Sequence, residues 1–229
     1  MIWRGDPYVR LMASLPRIGF LAERTIPISR ERLQARLTDL EPEDAAELAA
    51  LRALLDWESF DLAMDDARFL AEADRLIARL RHPAVRAAVL DRLEMRTIVA
   101  ALRRRRAGLD APAPGEPWGH GPAVPRIRAD WTLPDFGLGR GRPWIAKARE
   151  RLEAGDTPAL ERLLLETAWD LIRRREAGHE FDFAAVAFYL MRWSIADRWS
   201  RYDADAAAIR FAELLDAALA GAPGLEDAA

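Results

Sequence analysis

An uncharged stretch from Phe183 to Met191, FAAVAFYLM, constrains the fold of this chain more than any other. If the stretch is helical, apolar groups point in almost every direction around its axis. Such a helix is stable only where other elements cover it on all sides. Asp182, directly before the stretch, is a favourable N-cap residue. The pattern therefore predicts a buried central helix, from Asp182 to Trp199, wrapped by other helices.

Helix signals on both sides of this stretch predict an all-α protein. Helix starts are expected at Ser29, Pro42, Pro83, Thr157 (as a cap before Pro158) and Asp203, and helix ends at Gly108, Gly178 and Gly221. We predict a single all-α domain over residues 1–229. It is a helical bundle of two similar units, 1–110 and 144–222, joined by a connecting loop, 111–143. Tyr8 to Leu15 is too short to distinguish a strand from an irregular buried segment.

The connecting loop differs in composition from the rest of the chain. Seven of the 14 prolines and six of the 13 glycines lie between Ala111 and Pro143, so no helix is expected to continue there. Trp118, Trp131 and Trp144 lie in or beside this segment. Flexible linkers rarely carry such large apolar side chains. We expect an ordered loop that packs across the helices, with Trp131 and Trp144 holding it in place.

Composition excludes several classes of function. The chain has no cysteine, which rules out disulfides, cysteine-ligated zinc, iron–sulfur clusters and thiol catalysis. A net charge of -3 argues against a dedicated nucleic-acid-binding protein. No apolar run is long enough for a spanning helix, and charges interrupt the first 25 residues where a signal peptide would be apolar. We expect a cytoplasmic protein, or one held on the cytoplasmic face of a membrane through its partners.

The four consecutive residues Arg103, Arg104, Arg105 and Arg106 are the candidate partner-binding residues. They have two interpretations: a patch that binds phosphate groups, or a solvated helix end where cations favour the helix dipole. Four arginines exceed what the dipole needs. The acidic balance of the chain and the lack of neighbouring aromatic residues nevertheless favour the second interpretation.

Other polar motifs do not predict chemistry. Gly137 to Pro143, GLGRGRP, matches neither of the common phosphate-binding glycine patterns. His179 to Asp182, HEFD, is better explained by a turn and a helix cap than by metal ligands. A set of neighbouring acids is typical of a solvated turn: Glu58, Asp61, Asp65 and Asp66. We predict no catalytic, cofactor or metal site, and therefore no enzymatic activity and no small-molecule substrate.

Two segments show a faint internal similarity. LEMRTIVAAL, from Leu93 to Leu102, and YLMRWSIADR, from Tyr189 to Arg198, share Met-Arg and an alanine four positions after the arginine. The similarity leaves internal duplication and chance in Ala/Arg-rich helices as open alternatives.

Three segments carry a resemblance to a known family. YVRLMASLP near the start, LEMRTIVAALRRRRAGL in the middle and GHEFDFAAVAFYLMRWSIADRW near the end resemble a bacterial family of uncharacterised helical proteins related to V-type ATPases. The middle segment is also similar to a recurring helix of the C subunit of V-type ATPases, called d in eukaryotes. That subunit has three helical units, whereas this chain has room for about two, and the segment Ala111 to Pro143 has no counterpart in it.

The resemblance implies a non-catalytic structural or accessory subunit without a cofactor. Its partners would be the rotor ring or the central shaft of a V-type ATPase, which it couples through protein–protein contacts. An alternative hypothesis is a helical module that binds nucleic acid or an acidic protein through an arginine-rich patch. The patch would join the run from Arg103 to Arg106 with Arg126, Arg128, Arg140 and Arg142. Of these ligands, nucleic acid is disfavoured by the acidic balance.

Overall fold

The computed structural model describes residues 6–19, 26–55 and 66–201, and the regular structure within these ranges is entirely helical. The helices are α1 (Pro7–Ser14), α2 (Arg30–Arg36) with a 3₁₀ turn (Leu37–Asp39), α3 (Pro42–Leu55), α4 (Asp66–Ile77), α5 (Pro83–Arg106), α6 (Ala123–Ala129), α7 (Trp144–Glu153), α8 (Thr157–Glu176) and α9 (residues 183–201). The predicted all-α fold is confirmed. The expected last helix, from Asp203 to Gly221, lies outside the described residues.

The first helix corrects the expectation of a strand or an irregular segment between Tyr8 and Leu15. α1 begins after Asp6, whose carboxylate accepts the backbone N–H of Tyr8 at 2.9 Å, and Pro7 stands in its first turn. An Asp-Pro pair is a helix-start signal, because the proline lacks an N–H that would have no partner there. Leu11 is buried and anchors this short helix to the core.

The N-terminus of α8 also differs in detail from the expected start. Thr157 was expected to cap this helix, but the cap is Asp156, whose carboxylate accepts the N–H of Ala159 at 3.0 Å. Thr157 and Pro158 both lie in the first turn. The difference is one residue, and the proline again takes a position whose N–H needs no partner. At α2 the expected cap is confirmed, since Ser29 accepts the N–H of Arg32 at 3.3 Å.

The uncharged stretch forms the first half of α9 and is buried along its whole length. Each residue from Phe183 to Met191 is at most 4% exposed, so this half of the helix meets neighbours on every side. Asp182 caps it as predicted by accepting the N–H of Ala185 at 2.8 Å. Two polar groups on α9 reach the N-terminal part of the chain. Tyr189 donates its hydroxyl to the carbonyl of Pro16 at 2.9 Å, and Trp193 donates Nε1–H to the carbonyl of Ile28 at 2.8 Å.

The buried residues form two clusters that α5 connects. The first surrounds α9 and includes residues of α1, α2, α3, α4 and the first half of α5. The second lies around the last half of α5 and includes residues of α6, α7 and the start of α8. Val85 of α5 belongs to the first cluster and Ile98 to the second, while Trp144 packs against both. One 24-residue helix therefore ties the two cores together.

The Pro/Gly-rich segment packs against the second cluster. Trp118 and Phe136 are buried there, and Trp131 and Trp144 contribute partly buried rings. Its backbone approaches α5 very closely, because a Cβ at Gly119 would lie 2.6 Å from the Thr97 methyl group. The hydroxyl oxygen of the same threonine accepts the N–H of His120 at 2.8 Å. The segment is therefore tied to α5 by both apolar and polar contacts.

The segment 111–143, expected to be a connecting loop in which no helix continues, contains the short helix α6. Pro125 is the third residue of α6, and a proline in the first turn removes no intrahelical hydrogen bond. Ala123 and Ile127, four residues apart, are both buried, so one side of this short helix completes the second cluster. Burial of a short apolar face outweighs the unfavourable composition here.

The two similar sequence segments lie on α5 and α9, and in each the arginine contacts an aromatic ring. Arg96 of α5 lies over the ring of Phe69 of α4 at 3.8 Å from its centroid. Arg192 of α9 lies over the ring of Trp169 of α8 at 5.7 Å. In each case the arginine after the shared methionine stacks on an aromatic residue of the preceding helix.

Candidate functional site

The arginine run forms the last turn of α5, and a glycine cap ends the helix directly after it. Gly108, with a φ of 72°, donates its N–H to the carbonyl of Arg105 at 2.9 Å, and Leu109 donates its N–H to that of Arg104 at 3.1 Å. This pair of bonds is the Schellman arrangement, which needs a left-handed residue that glycine supplies without strain. The cap fixes the direction in which the chain leaves the helix.

Arg104 turns back toward the connecting segment. Its Nε–H donates to the carbonyl of Asp110 at 2.8 Å, and Nη1 lies 3.2 Å from the carboxylate of Glu116. The pKa of Glu116 is lowered, first because its carboxylate accepts the N–H of Ala113 and then because of the Arg104 charge. Arg104 therefore fastens the first turn of the segment to α5.

Arg105 fastens the part of the segment that follows α6. Its guanidinium donates to three carbonyl groups: Trp131 at 3.3 Å, Leu133 at 2.5 Å and Pro134 at 2.7 Å. The same guanidinium lies over the buried ring of Phe136, 4.4 Å from its centroid. Its pKa is lowered, first by burial and then by repulsion from Arg149. This side chain is thus half-buried and engaged in tertiary structure.

Arg103 and Arg106, by contrast, are exposed. The run predicted as one partner-binding set therefore divides into an inner pair, Arg104 and Arg105, and an outer pair, Arg103 and Arg106. Each residue of a helix is rotated by about 100° from the one before it. Residues three apart, such as Arg103 and Arg106, therefore lie on nearly the same side of the helix, whereas Arg104 and Arg105 point away from that side. The outer pair is exposed, and the inner pair is half-buried.

The other arginines of the alternative patch are mostly engaged within the chain. Arg126 pairs with Asp130 four residues later, and Arg142 pairs with the buried Glu94 of α5. Arg128 donates to the carbonyl of Glu116 at 2.6 Å. Arg140 is exposed. Three of these four side chains are therefore held by contacts within the chain.

The glycine-rich stretch GLGRGRP has its backbone donors in use. The N–H groups of Gly137 and Gly139 donate to the two carboxylate oxygens of Asp135 at 3.0 and 3.1 Å. A phosphate-binding loop leaves such groups free to point at the ligand. Here a carboxylate of the chain itself takes that position and closes the stretch into a turn.

The HEFD stretch builds the N-terminus of α9. His179 Nδ1 lies 2.6 Å from one carboxylate oxygen of Asp182, and the other oxygen caps the helix. Burial tends to raise the pKa of Asp182, but the hydrogen bonds from His179 and from the N–H of Ala185 lower it on balance. Of the acidic group predicted to lie on a turn, Asp66 begins α4, and Glu58, Asp61 and Asp65 lie outside the described residues.

A polar cluster that the sequence reasoning missed lies where α3 meets the start of α5; we call Glu43, Asp44, Glu47, Arg81 and His82 the Arg81 cluster. Glu47 is only 1% exposed. Its carboxylate accepts the N–H of His82 at 3.0 Å, contacts the His82 ring nitrogen Nδ1 at 2.9 Å and lies 3.4 Å from Arg81 Nε. A glutamate is rarely buried so fully unless it is paired in this way.

The remaining contacts of the Arg81 cluster join four helices. The Arg81 guanidinium also binds Glu43 and lies 2.8 Å from Asp44, and Tyr8 of α1 donates its hydroxyl to Asp44. The ring of His82 packs on that of Phe183 of α9, with centroids 4.4 Å apart. The cluster borders a surface depression of about 680 Å³.

The donor atoms of Asp44, Glu47 and His82 lie within 4.8 Å of one another, which is compatible with a metal site. However, the Arg81 guanidinium already lies among these carboxylates, and a second cation there would meet strong repulsion. The arrangement is a network of ion pairs, a hydrogen bond and a ring contact that links α1, α3 and α9 to the start of α5. Asp44 and Glu47, three residues apart after a helix start, were the available sequence signal, but their partners Arg81 and His82 are more than 30 residues away.

No family model, curated protein or solved structure matches this chain. Among the helices of the described ranges, none combines the length and the apolar character needed to cross a bilayer.

Proposed function

We propose that this chain is a non-catalytic structural or accessory subunit resembling the C/d subunit of V-type ATPases, which couples rotor and shaft through protein–protein contacts. The observation that carries the proposal is that the three segments on which the resemblance rests contribute residues to one buried cluster. Tyr189 of the third segment donates its hydroxyl to the carbonyl of Pro16, the last residue of the first. Leu11, Leu93 and Phe188, one from each segment, belong to the same buried cluster.

This meeting supports the proposal because the three segments lie far apart in the sequence. Residues that define a common fold are expected to pack together in its core. The stacked arginines of α5 and α9 are a second support. Arg96 on Phe69 and Arg192 on Trp169 are what two similar helical units would place in equivalent positions.

The polar groups support a structural rather than a catalytic role. The described serine and threonine hydroxyls that donate hydrogen bonds do so to nearby backbone carbonyl groups: those of Ser14, Thr38, Thr97, Thr167, Ser194 and Ser200. A nucleophilic hydroxyl would instead be bonded to a base. The Arg81 cluster and the His179–Asp182 pair likewise hold helices together. A body that transmits torque needs such internal ties, and it needs neither a substrate nor a cofactor.

The partners we propose are the rotor ring or the central shaft of a V-type ATPase, on the cytoplasmic face of the membrane. The alternative hypothesis, a basic module that binds nucleic acid or an acidic protein, has less support than the subunit role. Its arginines Arg104, Arg105, Arg128 and Arg142 donate to groups of the chain itself. An engaged guanidinium would have to break these bonds before it could bind a phosphate.

The test is purification of the tagged chain from its native cells at moderate salt, with mass spectrometry of the proteins retained. We expect recovery of V-type ATPase subunits and no ATP hydrolysis by the purified chain alone. The tag expressed without the chain is the control. Recovery of nucleic acid without ATPase subunits, abolished by salt and by replacing Arg103 to Arg106 with alanine, would contradict the proposal.

A further inference from the structure

The Arg81 cluster brings three side chains that can bind a metal ion into one small region. One oxygen each of Asp44 and Glu47 and a ring nitrogen of His82 lie within 4.8 Å of one another. Asp44 and Glu47 are three positions apart on α3, which places both carboxylates on the same side of that helix. His82 is the residue directly before α5, and its Nδ1 lies 2.9 Å from Oε2 of Glu47. Two elements of the fold therefore hold the three groups together.

Each of the two carboxylates is held by one oxygen and turns the other toward Arg81. Asp44 accepts the hydroxyl of Tyr8 through Oδ2, and Glu47 accepts the backbone N–H of His82 through Oε1 at 3.0 Å. The other oxygens, Oδ1 of Asp44 and Oε2 of Glu47, lie 2.8 and 3.4 Å from nitrogens of the Arg81 guanidinium. Metal-binding carboxylates are oriented in the same way, by hydrogen bonds outside the metal's own ligands.

Arg81 indicates that the position between these oxygens favours a cation. Its guanidinium contacts the carboxylates of Glu43, Asp44 and Glu47. The buried carboxylate of Glu47 needs a positive partner, but that partner need not be an arginine. The Arg81 side chain is 48% exposed, so it can turn into the solvent while its backbone stays in place. The cation at this position is therefore one that can be exchanged.

The charge around this position is negative even with Arg81 present. The surface depression beside it is lined by Glu41, Pro42, Glu43, Asp44, Arg81 and His82. With Glu47, four carboxylates face one arginine and one histidine. From the start of α9, Asp182 also interacts electrostatically with His82, and its carboxylate binds His179. A cation that joined Arg81 would be repelled by it, but a cation that replaces Arg81 is surrounded by these four carboxylates.

We propose that Asp44, Glu47 and His82 bind a divalent transition-metal ion, which enters from the surface depression and displaces the Arg81 guanidinium. The proposal does not depend on the subunit role, and it departs from the expectation, drawn from the sequence, that the chain has no metal site. One nitrogen and two oxygen ligands suit zinc and its first-row neighbours, whereas magnesium and calcium prefer oxygen ligands alone. Tetrahedral zinc ligands lie about 3.3 Å apart, so small side-chain shifts bring the three groups into place.

A bound ion acts on the helical body as a whole, because the cluster lies where four helices meet. Tyr8 of α1 holds Asp44, and the ring of His82 packs on that of Phe183 of α9. An ion that binds only the folded chain stabilises it in proportion to the logarithm of the metal concentration above the dissociation constant. Arg81 lowers the affinity of the site, since it must leave before the ion can bind.

The experiment is a titration of the full purified chain with Co²⁺, followed by visible absorption and by competition with Zn²⁺. The purification tag is removed, and a chelator first strips any metal. The variants are Asp44→Asn, His82→Asn and Arg81→Gln. His120→Asn is the matched control, since His120 contacts a single carboxylate, that of Asp74 at 3.2 Å, and lies outside the site. Circular dichroism checks that each variant is folded, and thermal unfolding with and without Zn²⁺ is a second readout.

We expect one equivalent of Co²⁺ to bind the unaltered chain and the His120→Asn control with equal affinity, and Zn²⁺ to displace it. Binding to Asp44→Asn and to His82→Asn should be at least about tenfold weaker, because even loss of a hydrogen bond to a metal ligand costs about 10–100-fold. Arg81→Gln should bind the ion at least about tenfold more tightly than the unaltered chain, since no cation has to be displaced. Zn²⁺ should raise the thermal midpoint of the variants in the same order.

Several outcomes would overturn the proposal. They are the absence of saturable binding to the unaltered chain, an equal loss of binding in His120→Asn, or binding by His82→Asn within about twofold of that control. Tighter binding by the unaltered chain than by Arg81→Gln, or equal binding, would show that the ion does not displace Arg81. If Asp44→Asn fails to fold, His82→Asn carries the same test, because asparagine is itself a favourable residue at the start of a helix.

Discussion

Replacing Arg105 with alanine should destabilise the protein measurably, although this residue lies in a run of four arginines at a helix end. The change removes three hydrogen bonds to the carbonyls of Trp131, Leu133 and Pro134 and the stacking on Phe136. Hydrogen bonds from a charged group contribute roughly 1.5–3 kcal/mol when buried. These three share one guanidinium, and water can reach the carbonyls once it is gone.

The lower end of that range therefore applies, about 1.5–2 kcal/mol for the hydrogen bonds. The stacking on Phe136 adds about 0.5–1 kcal/mol, so the expected loss is about 2–3 kcal/mol in the free energy of unfolding. Urea denaturation followed by circular dichroism measures this loss. Limited proteolysis locates the part of the chain that is loosened. Cleavage should appear between residues 130 and 141, where the carbonyls lose their donor.

Arg106→Ala is the matched control, because Arg106 lies in the same turn of α5 but is exposed. Both variants lose one cation that favours the helix dipole, a contribution of about 0.3–1 kcal/mol. The difference between them therefore reports the contacts with the connecting segment. A difference below about 0.5 kcal/mol, which is the usual scatter for surface substitutions, would refute the assignment of Arg105 as a structural tie.

Three further substitutions test α9 and its cap. Leu190→Ala should lower the free energy of unfolding by roughly 2–5 kcal/mol, since the buried side chain leaves a cavity, and denaturant midpoints measure this. Asp182→Ala should cost about 1 kcal/mol through loss of the cap. Because the folded pKa of Asp182 lies below its unfolded value, the deficit should be largest near neutral pH and shrink as acid protonates Asp182 in the unaltered protein. Burial raises the pKa of Tyr189 to about 12. As the pH rises, the unfolded chain therefore loses the hydroxyl proton before the folded chain does, and the free energy of unfolding should fall between about pH 10 and 12. Tyr189→Phe should remove that part of the pH dependence.

The central part of the fold follows from local sequence. The uncharged stretch from Phe183 to Met191 specifies burial, because no orientation of the helix would turn a polar face to water. Asp182 caps the helix by accepting the N–H of Ala185, three residues later. Such features depend on residues a few positions apart. They are therefore visible without knowledge of the tertiary structure.

Short helices were harder to predict. α1 and α6 contain too few residues for a clear hydrophobic period, and each includes a proline in its first turn. Proline usually argues against a helix, and only its position decides whether a hydrogen bond is lost. The Asp6-Pro7 pair carried that information for α1. For α6 the decisive factor was tertiary, namely burial of Ile127 in the second cluster.

The candidate site was predictable only in part, because a run of like charges does not indicate which members face inward. The division between Arg104 and Arg105 on one side and Arg103 and Arg106 on the other depends on where the connecting segment passes. From the sequence, Leu109 could be identified only as the residue that follows the glycine at the end of α5. Its exposure follows from the arginines that replace the usual apolar partners of a glycine cap.

The most direct test of the account is the coupling between ATP hydrolysis and ion transport in membranes from cells with and without this chain. A rotor-coupling subunit contributes no catalytic group, but it links the catalytic head to the membrane ring. We predict that membranes lacking the chain lose ATP-driven ion transport while the head sector still hydrolyses ATP, and that the reintroduced chain restores transport. Unchanged transport in membranes that lack the chain would contradict the proposed function.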